Sequence, residues 1–206
     1  MTNSAERCVV TAGGLALEGR FRSGRGPAGA VVAPPHPLYG GELSNPVVLA
    51  AAEGFDRAGL ATLRFNYRGI GASEGGATDN LDAARADYGG ALDALAGRVP
   101  GPYVAAGYSF GSVTALAVAA TDARVSGAVL VAPPAEMVRS IDLSAFTAPL
   151  LVIVGDRDTY APVARLTTWL AGRSDVTLHV VPGADHFFQP AGTSAITEHV
   201  AAFRTG

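Results

Sequence analysis

The sequence predicts an α/β fold in which a mostly parallel, eight-stranded sheet is covered by helices on both faces. Short apolar runs alternate with Ala- and Leu-rich stretches of helical length, which is typical of β-α-β units. Several of the runs are continuously apolar, as strands buried on both faces require. The first two runs instead alternate in polarity and meet at Gly13 and Gly14, which indicates an antiparallel N-terminal hairpin at the sheet edge.

Each predicted element follows from this pattern and from its flanking residues. The eight expected strands are 7–11, 15–21, 29–33, 61–65, 103–108, 127–131, 150–154 and 177–181. The expected helices begin at N-cap residues or directly after a strand, and most end near a glycine. They are a helix capped by Ser44 that runs to about Ala58, a helix over 81–96 capped by Asp79 or Asn80, helices over 110–120 and 163–171, and a last helix from Thr193 or Ser194 to about Phe203.

Composition favours one globular domain over residues 1–206 and excludes several classes of function. The 206 residues are 49% hydrophobic and 16% charged with a net charge of −3, unlike a disordered chain or a basic nucleic-acid-binding protein. The fifteen basic residues are all arginine. Without lysine there is no Schiff base, no pyridoxal phosphate anchor, no Ser–Lys dyad and no Walker A site.

Cysteine usage and hydropathy indicate a reducing, aqueous compartment. Cys8 is the only cysteine and cannot form an internal disulfide or a zinc site alone. The stretch from Met1 to Arg7 is polar and has no signal-peptide core, and no apolar run approaches the ~18 residues of a membrane span. We therefore expect a cytoplasmic protein without a membrane or nucleic-acid partner. Oligomeric state is left open, a homodimer included.

The fifth strand runs into the motif G-x-S-x-G and then into a helix. The motif is Gly107-Tyr108-Ser109-Phe110-Gly111. A serine on such a sharp strand-to-helix turn needs small residues two positions before and after it, and the turn lifts the hydroxyl clear of the sheet at a helix N-terminus. Ser109 is therefore the predicted nucleophile.

A serine hydroxyl needs a base, and His186 is the best placed of the four histidines. It lies in the loop after the last strand, at the edge where the carboxyl ends of parallel strands meet. His179 falls inside a strand, His199 on the last helix and His36 on a proline-rich loop early in the chain.

The base needs an acid, and the loop after the seventh strand offers Asp156 and Asp158. Either gives the chain order Ser, Asp, His that this arrangement requires. Position alone does not separate the two. Asp185 is discounted because it is adjacent to His186 in the chain.

An oxyanion hole needs two backbone N–H groups near the nucleophile. Phe110, directly after Ser109, is the first candidate. The second should come from the loop 34–41, where Pro37 has no N–H, so that Leu38 or Tyr39 must supply it; we favour Leu38. No cofactor is expected, because the G-x-G-x-x-G match at 24–29 precedes a strand instead of opening a helix. No metal is expected either, because no stretch has the spacing of metal ligands.

Four segments together resemble the α/β-hydrolases, over essentially the whole chain and most closely small lidless bacterial enzymes related to dienelactone hydrolases. They are 36–41, 63–75, 107–111 and 183–188. In that family the acid lies third after the glycine of a G-x-x-D pattern, so the resemblance selects Asp158. Dienelactone hydrolases carry Cys at the elbow where this chain has Ser109, which argues against their substrate.

The expected function is hydrolysis of small or soluble carboxylic esters or thioesters through Ser109, His186 and Asp158. The alternatives are a non-catalytic ligand-binding protein on the same fold, and a peptidase or acyltransferase with the same triad. The connection 132–149 is too short for a lid domain, so we expect an open cleft. Its candidate lining residues are Tyr39, Tyr108, Phe110, Met137, Tyr160, Phe187 and Phe188.

Overall fold

The structure, a computed structural model, describes residues 5–204. Residues 1–4, on which part of the prediction about a signal peptide rests, lie outside the described residues. Within residues 5–204 no helix is long and apolar enough to cross a membrane. The elements are β1 (Glu6–Ala12), β2 (Leu15–Arg22), β3 (Gly29–Ala33), α1 (Pro46–Ala58), β4 (Ala61–Phe65), α2 (Leu81–Ala96), β5 (Tyr103–Tyr108), α3 (Phe110–Ala119), β6 (Val125–Val131), α4 (Ala135–Val138), β7 (Leu150–Gly155), α5 (Val163–Leu170), β8 (Val176–Val181) and α6 (Ser194–Ala202).

All eight strands form one sheet in the order β1-β2-β4-β3-β5-β6-β7-β8. β1 pairs antiparallel with β2, and β2 antiparallel with β4, whereas every later pair is parallel. The predicted mostly parallel sheet with an N-terminal hairpin at its edge is confirmed. β5 lies near the middle of the sheet, so the turn that follows it is flanked by neighbouring loops on both sides.

Local capping explains where the helices near the sheet begin. Asn45, not Ser44, is the N-cap of α1: its side chain accepts a hydrogen bond from Val47 N–H at 2.9 Å, ahead of Pro46 in the first turn. The Ser44 hydroxyl instead donates to Glu42 at 2.6 Å. The prediction for this cap is wrong by one residue, because asparagine reaches the free N–H groups of the first turn from that position. Asn80 caps α2.

Two apolar layers cover the sheet, one on each face. On one face α2, α3 and α5 contribute large side chains such as Leu92, Leu116 and Leu166. On the other face α1 and α6 contribute Phe55 and Ile196. Burial on both faces explains why the central strands are apolar at nearly every position. It also leaves the carboxyl edge of the strands as the exposed end where loops carry polar side chains.

The connection from β6 to β7 holds the four-residue helix α4 and no inserted lid. The remainder of this connection, 139–149, packs Leu143 and Phe146 into the core. The Arg173 side chain fixes the position of this segment by donating hydrogen bonds to the carbonyl oxygens of Leu143 at 3.1 Å and Phe146 at 2.5 Å. The segment that could have covered the carboxyl edge is therefore held against the body of the protein.

Candidate active site

Ser109 lies on a strained turn between β5 and α3. Its φ of 53° is in the left-handed region, which residues other than glycine rarely adopt. A Cβ added at Gly107 would lie 2.1 Å from the Gly111 carbonyl oxygen, and one added at Gly111 would lie 2.5 Å from the Ala33 carbonyl oxygen. Both positions therefore require glycine, as the motif predicts. The turn leaves Ser109 partly exposed at the start of a buried helix.

Three side chains from separate loops meet at this turn in a continuous hydrogen-bonded chain. His186 Nε2 lies 3.0 Å from Ser109 Oγ, and His186 Nδ1 lies 2.7 Å from Asp158 Oδ2. The three loops follow β5, β7 and β8, whose carboxyl ends share one edge of the sheet. These are the distances over which a proton moves from a hydroxyl to an imidazole that a carboxylate orients.

Asp158 is buried, and its second oxygen is fully engaged. Asp158 Oδ1 accepts hydrogen bonds from the N–H groups of Tyr160 at 2.9 Å and Ala161 at 2.8 Å. Asp156 is exposed and accepts instead from Gly183 N–H at 2.8 Å, which joins the β7 loop to the β8 loop. Asp185 accepts from Phe187 N–H at 2.9 Å and Gln189 N–H at 2.8 Å, so it shapes the histidine loop. Among these three carboxylates, the geometry brings Asp158 to the imidazole.

The other histidines lie away from the hydroxyl or have different partners. His179 on β8 stacks on His199 of α6, with ring centroids 3.7 Å apart. His36 packs its ring 4.9 Å from the Phe110 ring, and its Nδ1 accepts a hydrogen bond from Leu38 N–H at 3.3 Å. Burial lowers the pKa of His36, which keeps its imidazole neutral and able to accept that bond at neutral pH.

The loop after β3 places the two predicted donors differently. Tyr39 N–H donates to the His36 carbonyl oxygen at 3.1 Å in a regular turn, whereas Leu38 N–H meets the His36 ring in a longer bond. Phe110 is the first residue of α3, where a helical N–H has no acceptor in a preceding turn. The sequence left open whether Leu38 or Tyr39 supplies the second oxyanion donor. The hydrogen bond from Leu38 N–H is the longer of the two and is therefore more easily replaced by a bond to a ligand.

Tyr108 is a structural partner of the histidine loop that sequence reasoning missed. It is buried, and its hydroxyl donates to the His186 carbonyl oxygen at 3.0 Å. Burial raises the pKa of Tyr108, with further contributions from the charges of Asp158 and Asp185, so the phenol stays protonated and acts as a donor. The sequence signal that could have indicated this role is its position in G-x-S-x-G, directly before the predicted nucleophile.

The candidate lining residues fall into two groups. Tyr108, Phe110 and Phe188 are 3%, 2% and 0% exposed and belong to the core. The other four, Tyr39, Met137, Tyr160 and Phe187, are exposed, and Tyr160 and Phe187 have ring contacts with His186. The exposed members of the list therefore belong to loops and to α4. Among residues 5–204 there is no group of three or more His, Cys, Asp and Glu side chains that could hold a metal ion.

Comparison with known proteins agrees with this architecture. Residues 39–204 match the family model described as alpha/beta hydrolase domain. An uncharacterized protein of Rickettsia prowazekii, RP471, is 31% identical over 187 residues, covering 84% of this chain and 78% of that protein.

Two solved structures share nearly the whole fold. An alpha-beta serine hydrolase homologue from Coxiella burnetii is 31% identical with a TM-score of 0.86 and covers 98% of this chain and 97% of its own. XC6422 from Xanthomonas campestris, described as a serine hydrolase without lid, is 25% identical with a TM-score of 0.84 and covers 98% and 94%. The fold and these relatives support hydrolase activity, and the chain belongs to the alpha/beta hydrolase family.

Proposed function

We propose that this protein is a serine hydrolase that cleaves carboxylic esters, thioesters included, of small or soluble substrates. The observation that carries the proposal is the chain of contacts from Ser109 Oγ through His186 to Asp158, at 3.0 and 2.7 Å. A ligand-binding protein would not need a strained serine, an imidazole and a buried carboxylate in this order.

In the proposed reaction Ser109 Oγ attacks the acyl carbon while His186 Nε2 takes its proton. The tetrahedral intermediate collapses when His186 returns that proton to the leaving alcohol or thiol, which leaves an acyl-serine. Water then attacks the acyl-serine, again with His186 as base, and releases the carboxylic acid. Asp158 holds the imidazole with its proton on Nδ1 and stabilises the imidazolium that forms in each step.

The negative charge of each intermediate needs preorganised donors. We assign this role to the backbone N–H groups of Phe110 and Leu38. The Phe110 N–H lies at the N-terminus of α3, where the helix dipole favours an anion. The Leu38 N–H would exchange its 3.3 Å bond to the His36 ring for a bond to the oxyanion. Loss of one such donor typically costs ~10²–10³ in kcat.

The open carboxyl edge favours short acyl chains or bulky soluble esters over long lipids. In the described chain α4 is the only helix between β6 and β7, so this connection supplies no helical lid to enclose a long alkyl chain. A strong preference for emulsions of long-chain triglycerides would contradict this part of the proposal.

The test is hydrolysis of p-nitrophenyl acetate and butyrate by the wild-type protein and by Ser109→Ala. We expect Ser109→Ala to lose on the order of 10⁶ in kcat, as triad enzymes do. Equal rates for the two proteins would reject the assignment. Labelling by a fluorophosphonate probe that requires Ser109 separates an enzyme from a ligand-binding protein, and product analysis with an added acceptor alcohol or amine separates a hydrolase from an acyltransferase.

A further inference from the structure

Most of the large apolar side chains that remain exposed lie at the carboxyl edge of the sheet. Within residues 5–204, eight such side chains are exposed: Val9, Leu38, Tyr39, Leu49, Met137, Tyr160, Val180 and Phe187. Five of the eight lie on the connections that follow β3, β6, β7 and β8 at the carboxyl edge: Leu38, Tyr39, Met137, Tyr160 and Phe187. Exposed apolar side chains that cluster at one place mark a surface that binds an apolar partner.

Two of these side chains flank the imidazole itself. The Tyr160 ring lies 4.8 Å from the His186 ring with an interplanar angle of 49°, and the Phe187 ring lies 5.5 Å away at 84°. Each of the two aromatic side chains is 63% exposed, whereas His186 is buried at 8%. The rings therefore stand beside the imidazole and leave most of their own surface free.

The backbone beneath both rings is held in place. Tyr160 N–H donates to Asp158 Oδ1 at 2.9 Å, and Phe187 N–H donates to Asp185 Oδ1 at 2.9 Å. The Tyr160 carbonyl oxygen also accepts from Ala135 N–H at 3.1 Å. Rings mounted on a fixed backbone lose little conformational freedom when a ligand packs against them.

The chemistry of ester cleavage decides which part of a substrate meets these rings. His186 Nε2 must deliver its proton to the leaving oxygen, so that oxygen has to lie within hydrogen-bond reach of the imidazole. The carbon group of the alcohol, which is bonded to that oxygen, is then close to the rings of Tyr160 and Phe187 beside His186. Leu38 and Tyr39 belong instead to the loop of the proposed oxyanion donors.

We propose that Tyr160 and Phe187 form the subsite for the leaving alcohol and that the alcohol the site prefers carries an aromatic ring. This inference rests on the proposed ester hydrolysis and adds the substrate class for the same site. An aromatic ring gains offset-stacked or edge-to-face contact with two neighbouring rings, which a small aliphatic alcohol cannot make.

The experiment compares 2-phenylethyl acetate with ethyl acetate, which share the acyl group and release primary alcohols. The proteins are wild type, Tyr160→Ala, Phe187→Ala, the double variant, and Val9→Ala as a control for loss of an exposed apolar side chain far from the triad. We expect wild type to have the higher kcat/KM for the phenylethyl ester. Each single variant should reduce that preference by about two- to tenfold, mainly by raising KM for the phenylethyl ester. Val9→Ala should keep the wild-type preference.

The outcomes separate failure of the inference from failure of the proposed function. If the double variant hydrolyses both esters with the wild-type ratio of kcat/KM, the alcohol subsite is refuted while ester hydrolysis stands. If wild type does not prefer the phenylethyl ester, the substrate class is refuted. If neither ester is cleaved faster by wild type than by Ser109→Ala, the proposed function fails and this inference fails with it.

Discussion

Replacing Asp158 with asparagine should invert the hydrogen bonding of His186 without changing the shape of the site. Asp158 Oδ1 accepts two backbone N–H groups, from Tyr160 and Ala161 at 2.9 and 2.8 Å. An asparagine keeps these bonds only if its oxygen takes that position. The opposite orientation would point the NH₂ group at two donors and leave the buried Ala161 N–H without a partner, at about 1–3 kcal/mol, along with the partly buried Tyr160 N–H.

The carboxamide NH₂ must then face His186 Nδ1, which lies 2.7 Å from the present Oδ2. Because an NH₂ group only donates, Nδ1 has to be the unprotonated nitrogen and the proton moves to Nε2. Nε2 then points an N–H at Ser109 Oγ across 3.0 Å and cannot accept the serine proton. We expect kcat to fall by ~10⁴, the size seen when a triad carries the wrong tautomer, with KM changed little.

The assay is steady-state hydrolysis of p-nitrophenyl acetate, with circular dichroism to check that each variant is folded. Asp156→Asn is the matched control, because its oxygen can keep the single 2.8 Å bond from Gly183 N–H and it does not touch the imidazole. It should retain nearly the full kcat. The reasoning would be refuted if the two variants lost activity equally, or if Asp158→Asn kept more than about 1% of the wild-type kcat.

Three further perturbations test the fold around the site. Gly107→Ala should lower the free energy of unfolding by at least ~2 kcal/mol, because its Cβ would lie 2.1 Å from the Gly111 carbonyl oxygen. Gly89 lies on α2 with open space around it, so Gly89→Ala should raise the free energy of unfolding by ~0.5–1 kcal/mol. Urea titrations measure both changes. Tyr108→Phe should lower the free energy of unfolding by about 1–3 kcal/mol and should also lower kcat, because it removes the hydrogen bond to the His186 carbonyl oxygen. Tyr103 lies on the same strand, β5, and its hydroxyl donates a 2.7 Å hydrogen bond to the Val99 carbonyl oxygen, so Tyr103→Phe should lower stability only. Burial, and then the charge of His199, lower the pKa of His179 in the folded protein. As the pH falls, His179 is therefore protonated at a higher pH in the unfolded chain than in the folded one, and the free energy of unfolding decreases below about pH 6.5. His179→Gln should therefore lose less Tm than wild type between about pH 7 and pH 5, and an identical loss would contradict the assignment.

Much of the site was predictable because its requirements are local. The turn at Ser109 needs small residues at two fixed positions, and Gly107 and Gly111 show that need within five residues of sequence. His186 stood out because it follows the last strand, and parallel strands bring their carboxyl ends to one edge. The alternation of strands and helices likewise predicted the sheet.

Other features depend on contacts between distant parts of the chain. Asp156 and Asp158 both follow β7, and what separates them is the fold of the loop: Asp158 turns inward onto the Tyr160 and Ala161 N–H groups, while Asp156 reaches outward to Gly183. The Tyr108 bond to the His186 carbonyl joins residues 78 positions apart. No pattern within a single segment carries that information.

The order of strands and helices, the glycine-flanked turn and the short list of candidate catalytic residues could be predicted from the sequence, because sterics and polarity act over a few neighbouring residues. Three features depended on the folded chain: which carboxylate contacts the imidazole, which of the Leu38 and Tyr39 N–H groups has the longer hydrogen bond, and which aromatic rings stay exposed beside His186 while others enter the core. Those outcomes depend on how loops from different strands pack against each other at one edge of the sheet, and the relative positions of those loops are set only when the whole sheet is assembled.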